Sequence, residues 1–226
     1  MTSDRRPLDI ASEKRVARRP VTSVAGYVLA GGASARFGSD KALAEIGGQA
    51  TLVWVANAVA EAADGHPTVV GPAGKYARFG WNCIADRWPG EGPLGGIVTA
   101  LLHAREKETT CDWNLIVSCD MPFLTAPWLS FLVGRAENGG AEVVLANSSG
   151  GPEPLCACWK TEACEALHRA FARGVRKVTD GIALLRTEVL DEREWKRFDS
   201  AGRLFWNMNT PADYEEACRI VAAERE

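Results

Sequence analysis

Two apolar runs of strand length, Val24–Ala30 and Trp113–Ser118, each stop at residues suited to a turn: Gly31-Gly32 after the first, Cys119-Asp120 after the second. Longer segments with apolar residues at helical spacing separate and follow them. Thr51–Ala63 carries Leu52, Val55, Ala56, Val59 and Ala63 at that spacing, the pattern of an amphipathic helix. The same reading predicts strands at Pro67–Val70, Trp81–Ala85 and Glu142–Ala146, and helices at Leu94–Arg105, Ala126–Ala136, Thr161–Arg173 and Pro211–Ala223. Pro127 falls near a first helical turn, where proline is tolerated. Strands alternating with helices of this length predict an α/β fold, a mostly parallel sheet with helices on both faces. In such sheets ligands bind beyond the carboxyl ends of the strands. The turns after Ala30 and after Ser118 are therefore the first places to look for a site.

A chain of 226 residues with 46% hydrophobic residues can bury a sizeable core. Residues 1–20 are polar and basic and read as a flexible N-terminal extension, leaving 21–226 as a single domain. A net charge of −3 argues against binding nucleic acid, because phosphate neutralisation dominates that affinity. A membrane span is not expected, since no run approaches the roughly 20 apolar residues it requires. Arg5-Arg6 is not followed by an apolar stretch, so no secretory signal is expected. The seven cysteines form no C-x-x-C pair. They read as reduced thiols of a cytoplasmic protein, mostly small buried hydrophobes, with Cys156 and Cys158 on one face of a strand. His66, His103 and His168 have no metal or triad spacing and read as structural or surface residues.

The turn after Ala30 reads Gly31-Gly32-Ala33-Ser34-Ala35-Arg36-Phe37-Gly38-Ser39-Asp40-Lys41. It matches neither G-x-x-x-x-G-K-[ST] nor G-x-G-x-x-G. Its physics is shared with both. Glycines let the backbone approach a ligand closely, and successive N–H groups can cup phosphate oxygens. Ser34 adds a hydroxyl donor, and Arg36 and Lys41 add the positive charge that a triphosphate needs. A solvated surface turn is the alternative reading of the Gly-Gly pair alone. Asp120, at the end of the second run, is either a helix cap or a Mg²⁺ ligand, since Mg²⁺ is held by one or two carboxylates plus substrate phosphates and waters.

The pattern L-A-G-G-x-S-x-R-F-G-x-D-K from Leu29 to Lys41 resembles the signature loop of the molybdenum cofactor guanylyltransferases and their nucleotidyltransferase relatives. Cys119-Asp120-Met121-Pro122-Phe123 is similar to that family's C-D-[MT]-P-[FY] motif, which implies that Asp120 holds Mg²⁺. Asp86 followed by Gly92-Pro93-Leu94-Gly95-Gly96 resembles the D…G-P-L-[AG]-G element, which implies a place for Asp86 on the nucleoside side of GTP. Asn207-Met208-Asn209-Thr210-Pro211-Ala212-Asp213 resembles the family's N-x-N-T-P-x-[DE] ending, whose asparagines lie near the active site and the pterin side. Thr210 before Pro211 also marks a helix start by itself. Pro154–Trp159 resembles the family's P-L-x-A-x-[WY] strand, and Arg176-Lys177-Val178 its basic segment towards the pterin phosphate.

The resemblance implies a three-layer α/β/α, Rossmann-like fold of the nucleotide-diphospho-sugar transferase type. It implies transfer of GMP from GTP to molybdopterin, or the molybdenum cofactor, with release of pyrophosphate. Arg36, Lys41 and Asp120 are then the catalytic candidates. Leu29, Ala30, Gly31, Gly32, Ser34, Lys41, Asp86, Asp120, Asn207 and Asn209 are the substrate-binding candidates, and Mg²⁺ is the cofactor. Transient contact with molybdoenzymes or cofactor-insertion proteins is implied for the product. The rival readings are a molybdopterin cytidylyltransferase, a sugar-phosphate nucleotidylyltransferase, and a non-catalytic nucleotide-binding protein that handles the cofactor. The chain departs from the family at Gly71-Pro72, where relatives often carry an asparagine. At that point the resemblance does not carry over a base or ribose contact.

Overall fold

The apolar run from Val24 forms a central strand, because helices cover both of its faces and a strand flanks each edge. The computed structural model describes residues 23–31, 40–107, 111–199 and 201–225; the expected extension over residues 1–20 lies outside them. The strands are β1 (Val24–Leu29), β2 (Glu45–Ile46), β3 (Gln49–Ala50), β4 (Thr68–Val70), β5 (Asn82–Ile84), β6 (Trp113–Ser118), β7 (Val143–Ser148), β8 (Gly151–Lys160) and β9 (Thr187–Leu190). The α-helices are α1 (Thr51–Ala62), α2 (Ala73–Tyr76), α3 (Pro93–Glu106), α4 (Ala126–Asn138), α5 (Cys164–Ala172), α6 (Val178–Ile182), α7 (Glu192–Trp195) and α8 (Pro211–Ala223).

Seven strands form one sheet in the order β5-β4-β1-β6-β8-β7-β9. Every neighbouring pair is parallel except those made by β8, which is antiparallel to β6 and to β7. The exception follows from chain length. Only Ser149 and Gly150 separate β7 from β8, and a parallel pair needs a crossover of a dozen or more residues. The carboxyl ends of all the strands except β8 thus lie along one edge.

Side chains alternate between two cores. Leu115, Val117, Cys156 and Cys158 face α1 and α4, against Leu52, Val55, Trp128 and Leu132. Ile116, Ala157 and Trp159 face the other side, against Leu94, Ile97 and Leu101 of α3 and Leu167 and Phe171 of α5. Each fully buried leucine or isoleucine contributes about 1.5–3 kcal/mol relative to exposure. Cys156 and Cys158 share a face as expected, and both are free thiols.

The short helices α2, α6 and α7 were not expected, and three further features depart from the sequence reading. Thr161–Ala163 is a 3-10 turn ahead of α5; the Thr161 N–H donates to the Asp112 carbonyl at 2.9 Å and its hydroxyl to that of Cys111, which holds it out of the helix. Strand β9 lies at the sheet edge and was not foreseen. Nor was the β2–β3 ribbon, which turns at Gly47 and Gly48 with φ of 59° and 81°, the left-handed values of a tight hairpin. A third, small core joins this ribbon to α8 through Ile46, Met208, Ala217 and Val221. Tyr214 Oη donates to the Glu45 carbonyl at 2.9 Å. This packing sets the 207–209 segment beside the start of the ribbon. Among the described residues, no helix is long and apolar enough to cross a membrane.

Candidate active site

Strand register brings four turns to one row. Leu29 pairs with Val70 on one side and Ser118 on the other, and Val70 pairs with Ile84. Gly31, Gly71, Asp86 and Asp120 therefore follow strand ends spaced about 4.8 Å apart from one strand to the next. Gly31 is exposed at this edge, while Leu29 and Ala30 are buried. The Ala30 N–H donates to the Val70 carbonyl at 2.9 Å, and the Ala30 carbonyl accepts from Tyr76 Oη at 2.8 Å. Leu29 and Ala30 thus form the wall that carries Gly31. Gly32, Ser34 and Arg36 lie outside the described residues.

Asp40 caps the short 3-10 turn Lys41–Leu43, its Oδ1 accepting from the Ala42 N–H at 3.0 Å. That turn directs Lys41 across the edge, where its Nζ donates to Asn209 Oδ1 at 2.7 Å. Asn209 is held in turn by its own backbone, whose N–H donates to Asp213 Oδ2 at 2.8 Å. Thr210 and Asp213 complete a capping box at the start of α8. Between the two asparagines, Met208 points into the third core and its N–H donates to the Asp120 carbonyl at 2.8 Å. The C-terminal segment is so strapped to the turn after β6. Asn207 Nδ2 donates to the Phe205 carbonyl at 3.1 Å and is partly exposed.

Asp120 Oδ1 is buried and has no hydrogen-bond partner among the described residues. An unpartnered buried carboxylate oxygen is costly unless something binds it. Among the described residues no three His, Cys, Asp or Glu side chains group to hold a metal. One free carboxylate oxygen fits Mg²⁺, which takes most of its ligands from substrate phosphates and water. Asp86 differs. Its Oδ1 accepts from the Trp88 N–H and from Thr99 Oγ1, both at 3.0 Å, and its Oδ2 faces Gly31, 3.9 Å from where a Cβ would stand. It anchors the turn after β5 with one oxygen and addresses the glycine turn with the other.

The MobA-like NTP transferase domain matches residues 26–188. A protein of Deinococcus radiodurans named a probable molybdenum cofactor guanylyltransferase is 35% identical over 84% of this chain and 91% of its own length. The chain belongs to the MobA-like NTP transferase family. The molybdenum cofactor guanylyltransferase of Mesorhizobium japonicum is 32% identical over 88% of this chain and 96% of its own length. The crystal structure of molybdopterin-guanine dinucleotide biosynthesis protein A from Archaeoglobus fulgidus aligns with a TM-score of 0.75 at 27% identity, covering 88% of this chain and 98% of that one.

In this MobA-like transferase, Cys119 of the motif is a buried free thiol. Its pKa is pushed far up, by burial first and then by the Asp120 and Asp40 carboxylates, with Lys41 pulling the other way. Gly92, with φ of 90°, turns the chain into α3 with Pro93 in the first turn, so the helix N-terminus opens towards the same edge. Arg176 is exposed and paired. Its Nε donates to Glu91 Oε2 at 2.7 Å, its Nη1 to the Phe171 carbonyl at 2.7 Å, and its guanidinium stacks 4.0 Å from the Phe171 ring centre. It braces the turn ahead of Gly92, while Lys177 is the N-cap of α6. His103 bonds Tyr27, His168 packs on Trp88, and His66 is an exposed turn residue.

Sequence reasoning missed Tyr76, whose hydroxyl also lies 3.0 Å from Asp40 Oδ2, and Lys75, whose Nζ is 2.5 Å from that oxygen. Both sit on a helix of four residues, too short to leave a periodic signal.

Proposed function

We infer that this chain transfers GMP from GTP to the terminal phosphate of molybdopterin, or of its molybdenum-loaded form, and releases pyrophosphate. The observation that carries this reading is that Lys41 bonds Asn209 while the neighbouring Met208 ties the turn of Asp120, whose Oδ1 has no partner among the described residues. Family membership supplies the nucleotide and the acceptor.

In the reaction an oxygen of the acceptor phosphate attacks the α-phosphorus of GTP, and the bond between the α-phosphorus and its bridging oxygen breaks. Gly31 and, from the sequence, Gly32 and Ser34 bind the triphosphate through N–H and hydroxyl groups. Lys41 and Arg36 stabilise the negative charge that grows on the leaving pyrophosphate. Asn209 aims Lys41. Asp120 would hold a Mg²⁺ ion, which when bound neutralises charge along the triphosphate. Asp86 faces the nucleoside through Oδ2, and Asn207 lies on the acceptor side. The attacking phosphate is already anionic, so no strong general base is needed, and positioning with charge stabilisation suffices. The free thiols and the matched family suit a cytoplasmic enzyme, with molybdoenzymes or cofactor-insertion proteins as transient receivers of the product.

The test is pyrophosphate release by the purified chain with GTP and Mg²⁺, with and without molybdopterin. Stimulation by molybdopterin is the expected result. A chain that binds GTP but releases nothing is a non-catalytic carrier. A thermal-shift titration in which CTP outperforms GTP moves the assignment to the cytidylyltransferase branch.

A further inference from the structure

We propose that Thr99, inside α3, is a positioning residue for the nucleotide and acts through Asp86. The proposal rests on the reading that Asp86 meets the nucleoside of GTP. A threonine within a helix is a poor choice for helix formation alone, because its branched side chain loses freedom there. Thr99 is 1% exposed and sits between the buried Val98 and Ala100, and a buried hydroxyl is costly unless it is bonded. Its Oγ1 donates to Asp86 Oδ1 at 3.0 Å and accepts from the Arg87 N–H at 3.1 Å. The backbone N–H brings its own proton, so the hydroxyl proton is directed at Asp86.

Arg87 supplies a second attachment. Its Nη2 lies 2.6 Å from each carboxylate oxygen of Glu106, which stands about two turns beyond Thr99 and so on the same face of α3. The turn after β5 is thus pinned to one helix face at two points. The Trp88 N–H also donates to Asp86 Oδ1, at 3.0 Å. That bond is local and holds the carboxylate to its own loop, in the manner of an Asx turn; the Thr99 bond holds it to the helix. Two donors fill Oδ1, and Oδ2 is left facing Gly31 at the end of β1. Asp86 therefore presents one oxygen in one direction, and the Thr99 hydroxyl sets that direction. Fixing an acceptor before the ligand arrives lowers the ordering cost of binding. The acceptor side of the proposed site lies across β4 and β1, at the turn after β6, so Thr99 acts on GTP and not on the acceptor.

The experiment titrates the full chain with GTP and Mg²⁺ by calorimetry and measures KM for GTP and for molybdopterin separately. Thr99→Val keeps the branched shape and removes the hydroxyl. It is expected to weaken GTP binding and raise KM for GTP about tenfold, about the worth of one lost hydrogen bond to a charged group, with kcat and KM for molybdopterin unchanged. Thr99→Ser keeps the hydroxyl and should retain GTP affinity. In an Asp86→Ala background Thr99→Val should add no further loss, because the two residues act as one unit. Wild-type GTP affinity in Thr99→Val, an equal rise in both KM values, or losses that simply add in the double variant overturn the proposal. If Thr99→Val does not fold, Thr99→Ala removes the same hydroxyl from a smaller side chain and is read in the same way. Wild-type binding in Thr99→Val beside weakened binding in Asp86→Ala sinks the role of Thr99 alone. A wild-type chain that binds no GTP takes down the functional reading and the role of Thr99 together.

Discussion

Lys41 Nζ donates to Asn209 Oδ1 at 2.7 Å, joining the first strand's turn to the last helix's cap. The bond aims the ammonium without neutralising it. Asn209→Ala should cost about tenfold in kcat/KM for GTP, on the order of one lost hydrogen bond. Asn209→Asp should cost more, because a carboxylate would pair with Lys41 and repel the triphosphate. Lys41→Ala should cost about a hundredfold or more, the usual loss for a preorganised charge stabiliser. Pyrophosphate release against GTP concentration measures all three. An aspartate variant as active as wild type would remove Asn209 from the site.

Asp120 ties Met208 through its backbone carbonyl, not its carboxylate. Replacing the side chain should leave the strap in place. Its Oδ1 is buried without a partner among the described residues, a cost of about 1–3 kcal/mol in the absence of a ligand. Asp120→Ala should therefore raise the melting midpoint of the metal-free protein while cutting turnover at least about a hundredfold. Thermal unfolding without Mg²⁺, beside the turnover assay, checks both signs. A lower midpoint would mean that the carboxylate has a structural partner.

The cysteines should divide by burial. Cys119, Cys156, Cys158 and Cys164 are buried, and Cys83, Cys111 and Cys218 are partly exposed. Burial raises all four buried thiols, Cys156 to about 12, so at neutral pH they hold little thiolate, the reactive form. Burial raises the partly exposed Cys83 as well, so a thiol-reactive chromophore should label Cys111 and Cys218 first, Cys83 more slowly and the four buried thiols only on unfolding. Fast labelling of Cys119, read by peptide mapping, would contradict the packing around the Asp120 turn.

Asp213 gives the fold one pH-dependent contact. Burial, the largest single influence, opposes its ionisation, but the N–H groups of Asn209 and Thr210, the Thr210 hydroxyl and the Lys41 charge together outweigh it and hold the carboxyl below its ordinary value. A depressed folded-state value means that the unfolded chain binds the proton more readily. The contribution is complete above the unfolded value of about 3.9 and is lost as pH falls through the folded value. Asp213→Asn should flatten that part of the acid limb in denaturation measured between about pH 5 and pH 2. An unchanged acid limb would show that the capping box carries no linkage.

Much of this was legible in the sequence because it is local. Apolar runs ending at Gly31 and Asp120 marked β1 and β6, and Thr210-Pro211 marked the start of α8. Gly47-Gly48 between Ile46 and Gln49 was a legible hairpin signal that the longer periodic segments overshadowed. Strand β9 is four residues long at the sheet edge, and an edge strand half open to water needs no strong apolar pattern. Arg176 looked like a solvated or ligand-facing cation, and only the tertiary fold shows Glu91 and Phe171 taking up its guanidinium. The Tyr76 contacts with Ala30 and Asp40 depend on where a four-residue helix lands, which no spacing encodes.

The strap from Met208 to Asp120 has a consequence for the order in which the protein is made. Lys41 and Asp120 are both synthesised well before Asn209 and Met208, the residues that bond them. A nascent chain paused before Asn209 has its sheet's central strands but no partner for Lys41 and no tie at Asp120. Ribosome-bound intermediates would thus lack a finished form of the proposed site, which is completed only as the last helix docks onto the ribbon at Ile46.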